Sequence, residues 1–239
     1  MIKLHIYLAT LYACIHFLFS MILGIIPGTI LRTLGLKKIA ERYIRYNGEM
    51  LSRGIVVALG GYVTIKGLEH IPKNEKRLCF VSNHKSLVDI PLVVGYLPIP
   101  LGFIAKKELH NIPILRTWMD ILGCVYIDRN DLRSQIKAIL DGVSAIKAGR
   151  PQLIFPEGTR SKSESFGTFK PGSIKLATRA KAIILPLTIN NTSLLLESKT
   201  RIRRQELELI IHEPIDTAKL SDAELKELPE RVFSIIRGE

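Results

Sequence analysis

The sequence predicts an α/β fold: a mixed, largely parallel sheet flanked by helices and preceded by an N-terminal membrane-associated helical hairpin. Three observations predict it. Short apolar runs recur from Gly61 onward with helical patterns between them, the first sixty residues are far more apolar than the rest, and Gly60-Gly61 marks the change. The chain therefore divides into residues 1–60, hydrophobic and amphipathic helices, and residues 61–239, an α/β unit. With 239 residues and 47% apolar content it is long enough to bury a sizeable core.

From Ile6 to Leu31 the run IYLATLYACIHFLFSMILGIIPGTIL carries no Lys, Arg, Asp or Glu. A helix of about 20 apolar residues spans a hydrocarbon core, so the run is long enough either to cross a bilayer or to dip into it. It is too long for a signal-peptide core and lacks a clear small-residue cleavage site. Pro27-Gly28 reads as a turn that interrupts it. In the next segment, Ile30 to Leu59, apolar residues such as Leu31, Tyr43, Ile44, Leu51 and Ile55 fall at near-helical spacing. Arg32, Lys37, Lys38, Arg42, Arg45 and Arg53 fill other positions, the pattern of an interfacial helix whose cations meet anionic membrane lipid. The Lys and Arg excess after the apolar run places the remainder of the chain on the cytoplasmic face of the cell membrane.

Beyond Gly61, strands are predicted at Tyr62–Lys66, Leu78–Val81, Leu101–Ala105, Cys124–Ile127, Leu153–Phe155, Ile183–Thr188 and Leu207–Ile211. Helical patterns are clearest at Leu132–Ala148, Ser173–Ala180 and Ala223–Ile236. In such a sheet functional groups gather at the carboxyl ends of strands.

The formal charge of +12 calls for an anionic partner: nucleic acid, an acidic membrane surface or a phosphorylated substrate. Only 7% aromatic residues, no P-loop and no nucleic-acid module argue against nucleic acid. The cluster Lys199, Arg201, Arg203 and Arg204 fits an acidic carrier protein, a membrane surface or a solvated face. Cys14, Cys79 and Cys124 are odd in number, widely spaced and set in apolar contexts. They read as buried thiols, with no disulfide framework and no metal site.

Four strand ends carry the chemistry. After LCFV comes NHKSLVD, with His84 on a loop and Asp89 five residues on. Residues five apart lie about 140° apart around one helix, so the two meet only if Asp89 is in the first turn and His84 precedes it. Ser86 supplies an N-cap between them, and Ser86-Leu87-Val88-Asp89 also reads as a capping box that gives Asp89 a purely structural role. LIFPEGTRSKS follows another strand, with a turn at Pro156 and Gly158, hydroxyls on Thr159 and Ser161, the planar fork of Arg160 suited to phosphate, and Glu157 able to accept a hydroxyl or orient Arg160. Lys106 and Lys107 close GFIAKKEL, and Arg129 closes GCVYIDR. Strand-end cations converging on one pocket make an anion site; one alone does not.

In this order the segments resemble the glycerophospholipid acyltransferase family, in particular the bacterial 1-acylglycerol-3-phosphate acyltransferases. NHKSLVD is similar to that family's NHxxxxD block, AKKEL to the second block, FPEGTRS to the third and ILPLT to the proline-bearing fourth; GCVYIDR and FKPGSIKLA are similar to segments between them. The resemblance covers about Val63 to Asn190 and implies that His84 is a general base oriented by Asp89. It also implies that Lys106 and Arg160, with Glu157, Gly158 and Thr159 shaping the loop and Arg129 as a further candidate, bind the acceptor's phosphate. The implied reaction moves a fatty acyl group from acyl-CoA or acyl carrier protein to the sn-2 hydroxyl of lysophosphatidic acid, giving phosphatidic acid for phospholipid synthesis without any cofactor. Another lysophospholipid or a glycolipid is the alternative acceptor.

Overall fold

The structure, a computed structural model, describes residues 2–161, 167, 169–196 and 204–239. Two antiparallel-packed helices, α1 (Ile2–Thr33) and α2 (Lys37–Ala58), come first. The turn between them falls at Leu34–Gly35, where Gly35 has φ +80°, and not at the expected Pro27-Gly28. Helix α1 nevertheless runs through Pro27. Proline has no N–H for the carbonyl four residues back, and the Tyr43 hydroxyl of α2 donates to that Leu23 carbonyl at 2.9 Å. Gly28 lies where α2 approaches closely, since a Cβ there would meet Ile44 at 2.3 Å. Among the described residues no helix is long and apolar enough to cross a membrane. Cys14, expected to be buried, is exposed on α1, whose outer side also exposes Tyr12, Leu18, Phe19 and Ile26.

Helix α2 begins at Lys37 and buries Ala40, Ile44, Gly48, Leu51, Ser52 and Val56, one stripe at helical spacing. Its end joins the core of the sheet: Val56 and Leu59 pack with Phe80, Leu92 and Leu207, so apolar packing continues across Gly60.

The remaining elements are β1 (Gly61–Lys66), β2 (Leu78–Ser82), α3 (Asp89–Tyr96), β3 (Gly102–Lys106), α4 (Pro113–Leu122), β4 (Val125–Ile127), α5 (Leu132–Lys147), β5 (Gln152–Ile154), α6 (Lys175–Ala180), β6 (Ile183–Asn190), α7 (Ser193–Leu196), β7 (Gln205–Ile211), β8 (Ile215–Asp216) and α8 (Asp222–Arg237). The strands form one sheet in the order β1-β7-β6-β2-β5-β3-β4, with β8 pairing β6. Strands β6, β2, β5, β3 and β4 run parallel, β7 and β8 run antiparallel to β6, and β1 is parallel to β7. The expected mixed, largely parallel sheet is what forms. Every residue of β2 is buried, as a central parallel strand covered on both faces requires. Its side chains alternate: Leu78 and Phe80 face α2 and α3, while Cys79 and Val81 face α5, α6 and α8. Trp118 of α4 packs on the hairpin at Gly48, where a Cβ would lie 1.8 Å from the indole.

Candidate active site

The central strand β2 hands the chain to the site through Asn83. Its buried amide donates to the Ile189 carbonyl at 2.8 Å and accepts from the Ile189 N–H at 2.9 Å, so a side chain continues the ladder to β6 where the backbone departs. His84 follows, with its side chain 16% exposed and its ring stacked on Phe155 of the neighbouring strand end at 4.1 Å between centroids. Nδ1 of His84 lies 2.7 Å from Oδ2 of Asp89. An ionised carboxylate only accepts, so Nδ1 carries the proton and the neutral ring presents its lone pair on Nε2. Among the described residues Nε2 has no hydrogen-bond partner.

Asp89 is fully buried, and its carboxylate is saturated with donors. Besides His84, Oδ2 accepts from the N–H groups of Lys85 (2.8 Å) and Ser86 (2.9 Å), and Oδ1 accepts the Thr192 hydroxyl (2.6 Å). A buried charge survives only when compensated in this way. The two sequence readings of Asp89 merge here. Its bond to the Ser86 N–H is one half of the expected capping box, and the same oxygen holds His84. The other half differs: the helix starts at Asp89 rather than just after Ser86, because the Ser86 hydroxyl accepts from the Val88 N–H at 3.0 Å and closes a tight turn first.

The loop after β5 is tied to the histidine loop by Glu157. Its buried carboxylate accepts from the His84 N–H (2.8 Å), the Ser161 hydroxyl (2.6 Å) and the Gly167 N–H (3.0 Å), while the Ser161 N–H donates to the His84 carbonyl at 2.9 Å. Glu157 is thus turned inward as a tie between loops. Gly158 has φ +71°, a conformation that suits glycine, and a Cβ there would lie 3.1 Å from the Lys170 ammonium. That turn leaves Thr159 and Arg160 exposed beside the dyad.

Lys106 and Arg129 are exposed at the carboxyl ends of β3 and β4, on the same sheet edge as His84. With strands about 4.8 Å apart, β3 stands two spacings from β2, roughly 10 Å, and β4 three, roughly 14 Å. Lys106 therefore lies nearer the dyad than Arg129 does. Lys107 pairs with Asp128 at 4.0 Å. Of the basic cluster, Arg204 stacks over Tyr62 at 5.3 Å, whereas Lys199, Arg201 and Arg203 lie outside the described residues. Burial pushes the Cys79 and Cys124 thiols up to about 12, so both stay protonated and neither is a nucleophile. Among the described residues no group of three or more His, Cys, Asp and Glu could hold a metal ion.

Three contributors escaped the sequence reading: Asn83, Phe155 and Thr192. Asn83 and Phe155 stand inside the quoted motifs, but no spacing rule gives them a partner. Thr192 lies 103 residues from Asp89, and no local signal announces that contact.

Residues 62–190, more than half of the chain, match the Acyltransferase family model. The chain belongs to the Acyltransferase family. A 1-acyl-sn-glycerol-3-phosphate acyltransferase of Borreliella burgdorferi is 32% identical to this acyltransferase-family chain over 179 residues, which cover 74% of the chain and 69% of the relative. A chloroplastic 1-acyl-sn-glycerol-3-phosphate acyltransferase of Arabidopsis thaliana is 32% identical over 163 residues, 66% of this chain and 44% of the relative. The chain spans about half the length of the Arabidopsis, Chlamydomonas reinhardtii and Brassica napus relatives it matches. The crystal structure of PlsC from Thermotoga maritima, titled a 1-acyl-sn-glycerophosphate (LPA) acyltransferase, superposes with a TM-score of 0.80 at 30% identity. That match covers 100% of this chain and 96% of the Thermotoga chain, so the acyltransferase fold here includes the N-terminal hairpin.

Proposed function

We propose that this protein transfers a fatty acyl group from an acyl thioester, acyl-CoA or acyl carrier protein, to the sn-2 hydroxyl of 1-acylglycerol-3-phosphate. The observation that carries this reading is the imidazole of His84, held through Nδ1 by a buried, saturated carboxylate with Nε2 left to meet substrate. Nε2 takes the proton of the acceptor hydroxyl as its oxygen attacks the thioester carbonyl carbon. The imidazolium formed is stabilised by Asp89, which keeps its own negative charge. The C–S bond then breaks, the thiolate leaves, and the proton on Nε2 goes to sulfur. Thiolate is a good leaving group, so no covalent acyl-enzyme is needed. Arg160 and Lys106 hold the phosphate of the acceptor, with Arg129 further along the edge. The names of the relatives support this acceptor.

The acceptor is an amphiphile, and the reading extends to a membrane-bound enzyme on the cytoplasmic face. The outer side of α1 exposes a band of large apolar residues, and α2 adds Ile39, Tyr46 and Met50 beside Lys37, Lys38 and Arg42. A basic, apolar-edged hairpin of this kind lies in the headgroup layer of anionic lipid. The test is acyl transfer to lysophosphatidate in phospholipid vesicles by the native chain and by His84→Ala. The variant should lose at least a thousandfold in kcat. Undiminished transfer would remove His84 from the reaction.

A further inference from the structure

Asp89 meets its donors unevenly. His84, Lys85 and Ser86 converge on Oδ2 from the loop just before it, whereas among the described residues Oδ1 has only the Thr192 hydroxyl, at 2.6 Å. Thr192 is 1% exposed and follows the end of β6. Its place is fixed from both sides. Strand β6 is pinned at Ile189 by the two bonds to the Asn83 amide. Asn191 then takes the left-handed conformation at φ +68°, with its amide donating to the Glu206 carbonyl at 3.1 Å. The Leu194 N–H closes the turn on the Asn191 carbonyl (3.1 Å) and the Leu195 N–H on the Thr192 carbonyl (3.2 Å), with the Leu195 side chain buried in the core. A threonine just before a helix ordinarily turns its oxygen to the first N–H groups of that helix. Here the hydroxyl instead donates away from α7, to Asp89. Branching at Cβ restricts χ1, so the donor is held at one angle.

We infer that Thr192 is a positioning residue for acyl transfer: its hydroxyl fixes Oδ1 so that Oδ2 faces Nδ1 of His84, and it shares the carboxylate's charge, which sets how firmly the dyad holds a proton on Nε2. This rests on the general-base reading above and extends it to a third residue. The torsion that rotates a carboxylate is soft, so a holder on the second oxygen matters. A hydrogen bond to the ionised form lowers its proton affinity, and removing that bond leaves a buried oxygen unsatisfied and raises the affinity. Asp89 and His84 titrate as one unit, and Nδ1 already carries its proton, so the next proton goes to Nε2 and abolishes the base. Loss of the hydroxyl therefore harms the reaction most at low pH and little at high pH. A residue needed only for packing would harm it alike at every pH. Other charge around the dyad comes from Lys85 on its own loop, Glu157 and Arg160 on the loop after β5, Lys106 at the end of β3 and Glu208 on β7. None of these bonds to the Thr192 hydroxyl, so substitution there leaves their fields in place.

The test follows two quantities across the pH range in the native full chain and in Thr192→Val, Thr192→Ser and Thr192→Cys. One is the kcat and KM of acyl transfer to lysophosphatidate in vesicles. The other is the rate at which diethyl pyrocarbonate modifies His84, read on its peptide by mass spectrometry. That reagent attacks the neutral imidazole and needs no substrate, so its profile reports protonation of the dyad directly. In Thr192→Val the midpoint of both profiles should rise by about one pH unit, the roughly tenfold gain in proton affinity expected when a charged group loses one hydrogen bond. The kcat should fall about tenfold below the midpoint and stay within about threefold of native above it, with KM changed less than about twofold. Thr192→Ser should restore the native profiles, and Thr192→Cys, with only a weak S–H donor, should lie between Ser and Val. The Ser and Cys variants decide the matter should the Val variant not fold. An equal loss at every pH with an unmoved modification midpoint, a Ser variant as impaired as Val, or a raised KM at constant kcat would each overturn the proposal. If the native chain transferred no acyl group, the general-base reading would fail, and the modification midpoints would still decide what Thr192 does to His84.

Discussion

The sheet edge at His84 and the hairpin seat both join residues far apart in the chain, but by opposite means. At the edge the contacts are directional: four donors on Asp89, three on Glu157 and two amide bonds from Asn83. At the seat the contacts are shape: Gly28 against Ile44, Gly24 and Gly48 against Trp118, with the Tyr43 hydroxyl on the Leu23 carbonyl as a polar addition. Among the described residues the buried Trp118 indole N–H has no partner. Hydrogen bonds fix angles, which the proposed proton transfer at Nε2 requires. Apolar packing fixes position while leaving direction free, which suffices for a helix pair packed against a domain.

Variants at the two regions should therefore fail in different ways. The largest effect is expected for Asp89→Asn, which places an amide where three donors converge on one oxygen and removes the charge facing the imidazolium. The kcat should fall by about three orders of magnitude with KM little changed, while the emission of Trp118, the sole tryptophan, stays where it is. A red shift of that emission would show that the edge and the seat are one cooperative unit, and the contrast would break. Next comes Gly48→Ala. Its added methyl has the packed indole in the way, so chemical denaturation should show a loss of about 1–3 kcal/mol and the Trp118 emission should move to the red. The pH profile of kcat, which belongs to the dyad, should not move. The smallest effect is expected for Tyr43→Phe, which leaves the Leu23 carbonyl beside Pro27 without its donor. The loss should be about 1 kcal/mol by the same measurement, with acyl transfer unchanged.

Most of the sheet was legible because apolar runs bounded by turn residues are local signals: all seven expected strands form, as do the three clearest helices. The weaker elements were missed for physical reasons. Strand β8 has two residues and α7 four, too short to carry a period. The turn read at Pro27-Gly28 failed because both residues answer to α2, 16 residues or more away. Tyr43 removes the penalty of the proline, and Ile44 explains the glycine. Cys14 was expected inside because its neighbours are apolar, but an apolar helix can turn those neighbours outward.

By itself the sequence determined the α/β class and the order of the strand-end motifs, and it allowed a loop histidine to meet an aspartate placed in the first helical turn. These come from periodicity, turn chemistry and helix geometry, which act over a few residues. Only the tertiary structure decided that one oxygen of Asp89 serves both the helix start and His84, and that Thr192 completes the carboxylate. The same holds for Glu157, which faces inward as a tie between two loops. Each of these depends on which groups the crossovers of a parallel sheet bring to one edge, and that juxtaposition leaves no trace in local spacing.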